Sequence, residues 1–279
     1  MSNIPLHPNT PVPQPCTNSL HIILRKSHCP QSPIQVPITS CKSCSNIPQS
    51  PPQPHSKNIL IITGCWRAVL YKKLQDSGDP ILKNTDFVGS NKAPSCGFPY
   101  DGENEGHSGF LATGIVEKNQ LPGWLSAAKP DVILMHLGTN DVIQKKSVQQ
   151  ILNAYATLVK QMRESNGKMK IIVSTLIPIK PGMFGDSDKR IVELNNAIPG
   201  WATTNTTTES PITVVDNFTG FNPATDTTDG EHPNTQGDQK LAGKFYPALE
   251  KGIKEVASPT IVQTAANFLL NGGAREVFA

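Results

Sequence analysis

Pro130-Asp-Val-Ile-Leu-Met-His-Leu-Gly-Thr-Asn-Asp141 is the stretch that decides the architecture. Val132–Leu137 is an almost unbroken apolar run between Pro130 and Gly138. A strand with one wet face alternates apolar and polar residues. This one does not, so it reads as a strand covered on both faces, as in the interior of a parallel sheet. Outward from it the theme repeats. Asn58–Thr63 is a β-branched run stopped by Gly64, Asp86–Gly89 a short second strand, Lys170–Ile177 a fourth and Ile212–Asp216 a fifth. Helical spacing fills the intervals. Trp66, Val69, Leu70 and Leu74 recur along Trp66–Ser77, and a weaker helical stretch leads to Trp124–Ala128. Ser147–Ser165 carries one apolar stripe (Val148, Ile151, Leu152, Tyr155, Leu158, Val159, Met162) with Ser147 as N-cap. Further helices are expected over Lys189–Thr203 and Gln239–Val256. Strands alternating with helices imply right-handed βαβ units, hence a three-layer α/β/α domain around a five-stranded parallel sheet.

The first 57 residues are different in kind. They hold 12 of the 25 prolines, no Asp or Glu, and only Arg25, Lys26, Lys42 and Lys57 as fixed charges. Such a segment buries too little apolar surface to offset its ordering entropy and is expected to be disordered or extended. The chain therefore divides into a leader (1–57), a domain of normal α/β size (58–257) and a C-terminal tail (258–279). The net charge of +3 belongs to the leader, because the remainder carries 21 Lys and Arg against 22 Asp and Glu. A folded part without a basic field is a poor match for nucleic acid. No apolar run has membrane-spanning length, and Leu20–Leu24 is too short for a signal-peptide core. Cys41-Lys-Ser-Cys44 has the spacing of half a zinc site, but with only Cys29, His28 and His55 nearby it reads as incidental, and no metal is expected. Cys65 and Cys96 are placed to pair if the protein is extracellular. Asn205-Thr-Thr and Asn217-Phe-Thr are glycosylation sequons.

Three short motifs carry chemistry. Asp229-Gly230-Glu231-His232 sets a carboxylate and an imidazole three positions apart, after the last strand and just before the C-terminal helix. Acyl transfer from an ester needs a nucleophile, a base oriented by a carboxylate, and donors for the developing oxyanion. His232 is the candidate base and Asp229 the group that fixes its tautomer. Asn140, in Gly138-Thr-Asn-Asp141, offers a side-chain N–H, and Gly109, in Gly106-His-Ser-Gly109, a backbone N–H that no Cβ obstructs.

Together these blocks resemble the SGNH (GDSL-type) hydrolases, whose flavodoxin-like fold the strand pattern suits. The likeness is stronger to one subgroup. Cys65-Trp-Arg-Ala68, Asp86-Phe-Val-Gly-Ser90, Tyr100-Asp-Gly-Glu-Asn-Glu-Gly-His-Ser-Gly109, Leu121-Pro-Gly-Trp124, Pro130–Asp141 and Ser210-Pro-Ile-Thr-Val-Val-Asp216 look like carbohydrate esterase family 3, the acetylxylan esterase type. The resemblance spans roughly residues 58–250. It implies Gly109 and Asn140 as oxyanion donors, Asp229 and His232 as acid and base, no cofactor, and a small acyl ester or acetylated glycan as substrate of a monomer. Related SGNH enzymes include lysophospholipases and thioesterases.

One block departs from the pattern. In that family a Gly-Asp-Ser nucleophile follows the first strand, with Ile-Thr and Cys-Trp-Arg after it. Here Ile59-Leu-Ile-Ile-Thr63-Gly64-Cys65-Trp66-Arg67 puts either Ile61 or Trp66 at the serine position, and neither side chain attacks a carbonyl. Ser56 precedes the strand. Cys65 matches a cysteine with another role. Ser108 lacks the strand before it and the second glycine after it, where Phe110 stands, that a nucleophile elbow requires. The first block is read as lost and replaced by the leader. The nucleophile is left unassigned, and negligible turnover is expected.

Overall fold

Burial along Val132–His136 alternates in direction and never in degree. Val132 and Leu134 enter one apolar cluster, Ile133 and Met135 the other, and all four are fully buried. That is the double coverage its composition requires. The computed structural model describes residues 21–25 (backbone only), 65–92 and 95–257. Its main sheet contains β1 (His21–Arg25), β2 (Phe87–Val88), β5 (Val132–His136), β6 (Lys170–Ser174) and β7 (Ile212–Val215), in the order β2-β1-β5-β6-β7. A small hairpin pairs β3 (Asn91–Lys92) with β4 (Glu103–Asn104).

Helices cover both faces. Against one lie α1 (Trp66–Asp76) and α9 (Thr235–Ala257), whose Trp66, Leu70, Leu74, Leu241, Phe245 and Leu249 surround Val132 and Leu134. Trp66 stacks on Phe245 at 5.1 Å. Against the other lie α3 (Ala112–Glu117), α4 (Leu121–Ala128), α6 (Val148–Ser165) and α7 (Ser187–Asn205). Four short elements complete the described chain: α2 (Pro80–Lys83), α5 (Thr139–Ile143), α8 (Pro223–Asp226) and the hairpin. Ser147 caps α6 as its sequence implies, in a reciprocal box with Gln150.

The architecture is α/β, with β5, β6 and β7 parallel in register. The expectation of five parallel strands needs correction. β1 runs antiparallel to both of its neighbours, pairing His21 with His136 and Leu24 with Ile133 on one side and Leu24 with Val88 on the other. The place between β2 and β5 is thus filled from the leader, by a strand antiparallel to both neighbours. Asn58–Thr63 itself lies outside the described residues, as do Cys41, Cys44 and the tail 258–279. The described part of the leader is extended, and it is hydrogen-bonded into the middle of the sheet. A segment too short for a signal-peptide core is long enough for a five-residue strand.

The fourth strand stops at Ser174, three residues before its apolar run ends. The Asn195 side chain takes over both backbone groups of Leu176, accepting from its N–H at 2.8 Å and donating to its carbonyl at 2.9 Å, so the ladder has nothing further to pair. Cys65 and Cys96 form a disulfide. Closing a loop with a sequence separation of 31 is worth about 3–4 kcal/mol in the chain-entropy account. Asn217 is wholly buried, so its sequon is closed in the folded protein, whereas Asn205 sits half-buried at the end of α7.

A proline in an inner strand removes a ladder bond and clashes with its neighbours. Ile23→Pro is therefore expected to lower the unfolding free energy by about 3 kcal/mol, read by urea denaturation. A proline that leaves the midpoint unchanged means β1 contributes nothing to the folded sheet.

Candidate active site

Three connections bring the chemistry-bearing residues into order, two after the parallel strands β5 and β7 and one after the β3–β4 hairpin. The first follows β5. Gly138 has φ +115°, and a Cβ there would lie 2.8 Å from Tyr155 Oη, so only glycine fits. Tyr155 itself donates to the Leu137 carbonyl. The tight turn delivers Asn140 and Asp141, both buried, into α5. Asn140 Nδ2 donates to the Phe110 carbonyl at 3.3 Å, which sets it beside Gly109. Asp141 accepts from Ala112 N–H (2.7 Å), Thr113 N–H (3.1 Å) and Thr113 Oγ1 (2.8 Å). One carboxylate therefore fastens the first turn of α3, and the loop leading into it, to the turn after β5. The two expected oxyanion donors, distant in sequence, are adjacent because of it.

The second connection is the loop that ends in Gly109, where φ is +77°. A Glu105–His107 pair that sequence reasoning missed fixes its shape. Glu105 is buried and accepts from Ser90 N–H (2.9 Å), Ser90 Oγ (2.7 Å) and His107 Nε2 (2.6 Å). Burial pushes this carboxyl up, but the bonds from His107 and Ser90 outweigh it and hold it below the ordinary range. His107 stacks on Trp124 at 4.4 Å and on Phe110 at 4.8 Å. Gly89 lets the neighbouring strand pass: a Cβ would lie 2.1 Å from the Asn104 carbonyl carbon. Glu105 two residues before a histidine, opposite a Gly-Ser, was the available signal.

The third connection follows β7 and carries Asp229 and His232. His232 Nδ1 and Asp229 Oδ2 are 2.6 Å apart. Asp229 Oδ1 accepts from the N–H groups of Glu231 (2.9 Å) and His232 (2.8 Å), so the carboxylate is oriented by its own loop. Partial burial raises Asp229, but these bonds and the imidazole outweigh it and keep it ionised below its usual range. Gly230, at φ +101°, passes under Lys180, whose Cβ would be 2.8 Å from an added Cβ, and Lys180 N–H bonds the Gly230 carbonyl at 2.7 Å. Two lysines of α9 hold the loop from behind. Lys240 reaches Asp226 Oδ2 (2.6 Å) and the Gly220 carbonyl (3.0 Å), and Lys244 the carbonyls of Asp216 (2.6 Å) and Thr219.

Several of the described hydroxyl and thiol groups around this end of the sheet are engaged elsewhere. Cys65 is in the disulfide, and Trp66 is in the core. A Gly-Asp-Ser tripeptide does occur, at Gly185-Asp186-Ser187, but Ser187 is buried at the start of α7 with its Oγ donating to the Phe184 carbonyl at 2.7 Å. Ser174 Oγ lies 2.7 Å from His136 Nδ1, a pair buried within the sheet, where burial pulls the imidazole down to about 4. Ser108 is exposed on the loop that ends in Gly109. Among the described residues no cluster of three or more His, Cys, Asp or Glu suits a metal ion, and no helix is long and apolar enough to cross a membrane.

Residues 89–240 match the profile of the GDSL-like Lipase/Acylhydrolase family. The chain belongs to that family. By family it is a carboxylic ester hydrolase. Among solved structures it is similar to an acetyl esterase, a serine-to-alanine mutant holding acetate, at 38% identity and TM-score 0.63 over 69% of this chain and 92% of that one. It is likewise similar to a carbohydrate esterase family 3 protein from Talaromyces cellulolyticus, at 37% identity and TM-score 0.63 over 68% and 92%. A curated relative, the multidomain esterase of Ruminococcus flavefaciens, is 26% identical over 221 residues. That match takes in 72% of this chain, which spans 28% of the relative's length. These esterase relatives support the SGNH-like α/β fold and the resemblance to carbohydrate esterases read from the motifs.

Two outcomes follow from the buried carboxylates. Removing Asp141 leaves Ala112 N–H buried without an acceptor. Asp141→Ala is therefore expected to cost about 3 kcal/mol, measured by chemical denaturation, and a loss below about 1 kcal/mol would show that the weld is not needed. Asp238, on α9, accepts from Cys65 N–H at 2.8 Å and so caps α1 from outside. Burial lifts it to about 6, against the bonds from Cys65 and Trp66 and the charge of Arg67. A carboxyl raised in the folded state stabilises that state most below its unfolded pKa and loses the contribution as pH rises through about 6. Wild type should lose on the order of 2 kcal/mol relative to Asp238→Asn between about pH 4 and about pH 7, read from paired denaturation curves. Parallel curves would contradict the shift.

Proposed function

We propose that this site descends from an acetyl-ester hydrolase of acetylated polysaccharides such as xylan, with His232 as base, Asp229 as its orienting acid, and Gly109 and Asn140 as oxyanion donors. The observation that carries the reading is the 2.6 Å Nδ1–Oδ2 contact of His232 and Asp229, at the same end of the sheet as Asn140. The acetyl preference is supported by the acetyl esterase and family 3 carbohydrate esterase relatives at 38% and 37% identity. We read residues 58–257 as the esterase domain, with 1–57 as a leader that lends it one strand. An acetylated glycan is the proposed partner and a monomer the working state. The Cys65–Cys96 disulfide favours an oxidising, extracellular setting.

Chemistry in this geometry is general-base acyl transfer. The imidazole, held in one tautomer by ionised Asp229, takes a proton from the attacking oxygen. The negative charge that forms on the carbonyl oxygen falls between Gly109 N–H and Asn140 Nδ2, where prepositioned donors cost no reorganisation. A proton then returns to the leaving alcohol. A serine is the family's attacking group. We propose that its route is closed here, because Ile61 or Trp66 stands where the family's serine aligns.

A second reading, a non-catalytic relative that binds acetylated glycan, draws on the same departure from the family's pattern. The assay that separates them is acetate release from acetylated xylan and p-nitrophenyl acetate. Turnover is expected at least about 10³-fold below a serine-bearing relative, with His232→Ala lowering it further and Asn140→Ala lowering it by about 10²-fold. Equal rates in wild type and both variants would remove the enzymatic reading and leave binding.

A further inference from the structure

We propose that Asn205 carries an N-linked glycan when the chain passes through the oxidising, secretory setting that its disulfide favours, and that the first sugar lies against α6. Neither part depends on the chemistry read at His232. The sequence offers two acceptor tripeptides, Asn205-Thr206-Thr207 and Asn217-Phe218-Thr219. The fold separates them. Asn217 is wholly buried, and its N–H donates to Thr175 Oγ1 at 2.9 Å. Thr219 N–H donates to Asp216 Oδ1 at 3.0 Å, and Lys244 donates to the Thr219 carbonyl. A sugar on Asn217 would have to share an interior that is already close-packed.

Asn205 is the last residue of α7, and the chain leaves the helix through Thr206 at φ −71° and ψ 151°. Thr206–Glu209 are exposed, yet the turn has a fixed shape. Thr206 Oγ1 accepts from Ile212 N–H at 3.0 Å. Thr207 Oγ1 accepts from Ser210 N–H at 3.1 Å and donates to the Ser210 carbonyl at 3.2 Å. Asn205 Nδ2 donates to the Trp201 carbonyl at 2.8 Å. An amide nitrogen carries two hydrogens and glycosylation replaces one, so that bond can survive the modification.

Space and an unmet donor lie beside it. A cavity of about 430 Å³ is lined by Ala156, Val159, Lys160, Arg163 and Glu164 of α6 together with Asn205. Ala156 and Val159 offer apolar contact, and Lys160 and Glu164 offer polar groups. Arg163 donates through Nη2 to the Ser210 carbonyl at 2.7 Å, but its buried Nε meets no acceptor among the described residues. A buried donor left unmet is costly. The N-acetyl carbonyl and hydroxyls of an N-acetylhexosamine are acceptors of the missing kind.

The co-reactant is an oligosaccharide carried on a lipid pyrophosphate. Asn205 Nδ2 forms a bond to its anomeric carbon, the bond from that carbon to the phosphate oxygen breaks, and the lipid pyrophosphate leaves with the electron pair. One amide proton passes to a base of the transferase. The transferase reads the hydroxyl two residues on, and in the folded turn Thr207 Oγ1 is taken up by Ser210. Transfer therefore precedes closure of the turn. Asn205 stands before β7, whose four residues advance about 13 Å to the loop that carries Asp229 and His232. The glycan is thus at the opposite end of the sheet from that pair and leaves it clear.

The test expresses the full chain behind a cleavable secretion signal in a eukaryotic host and reads the folded, monodisperse fraction from medium and cells alike. Intact mass before and after peptide-N-glycosidase should show one glycan. Peptide mapping should then place the enzyme's deamidation at position 205 and find Asn217 unchanged. Asn205→Gln and Thr207→Ala should abolish the glycan, and Thr207→Ser should keep it. Trimming to a single sugar should leave the unfolding midpoint about 2–4 °C above that of the same oxidised chain made in a bacterial host that adds no such glycan. A folded chain without a glycan, or one modified at Asn217, overturns the assignment. Equal midpoints for the trimmed and sugar-free chains overturn the docking on α6.

Discussion

Asp141 is the side chain on which the rest of the catalytic end depends. It is fully buried and accepts three hydrogen bonds from the start of α3. An ionised acceptor with matched donors is among the stronger polar interactions a protein interior offers, and an unmatched one is among the most costly. The same residue sits one position after Asn140, in a turn that Gly138 alone can make. A single carboxylate thus converts a strand end, a glycine loop and a helix start into one rigid body. Burial raises its carboxyl despite the bonds that pull the other way, which marks a group placed for geometry at some electrostatic cost.

Around that weld the site is assembled from self-orienting loops. Asp229 is aligned by the N–H groups of the residues that follow it, and Glu105 by Ser90. In both cases a histidine is presented by a carboxylate that the backbone has already fixed. The two pairs differ in surroundings. His232 stands on a loop open to solvent at its Asp229 side, whereas His107 stacks against Trp124 and Phe110 and braces the glycine loop. Lysines of α9 reach into the carbonyls of the 216–227 loop, so the helix that closes the fold also sets the height of the acid–base pair.

Much of this was legible from residue order. Val132–Leu137 announced a doubly covered strand, Ser147 its helix cap, and Asp229–His232 their pair, because each is a local pattern with a local physical cause. Strand ends were less legible. Lys170–Ile177 remained apolar past Ser174, and only the distant Asn195 side chain explains the stop. Glu105–His107 escaped because its meaning depends on Ser90 and Trp124, remote in sequence. The direction of the strand between β2 and β5 was illegible for a deeper reason. Apolar pattern specifies that a segment is buried and extended, not which way it runs, and Ile22-Ile-Leu24 in a proline-rich leader gave no turn or spacing signal that would fix it.

That indifference separates two properties that usually travel together. Backbone hydrogen bonding tolerates either polarity of a guest strand, so the sheet keeps its order, its twist and both of its cores. Chemistry at one end of a sheet is more demanding, because functional residues in such folds collect on loops beyond one set of strand ends. Stability and chemistry are therefore separate properties of this domain: the first follows the sheet and its two cores, the second the geometry of a few loops at one end, and thermal stability alone does not report on it.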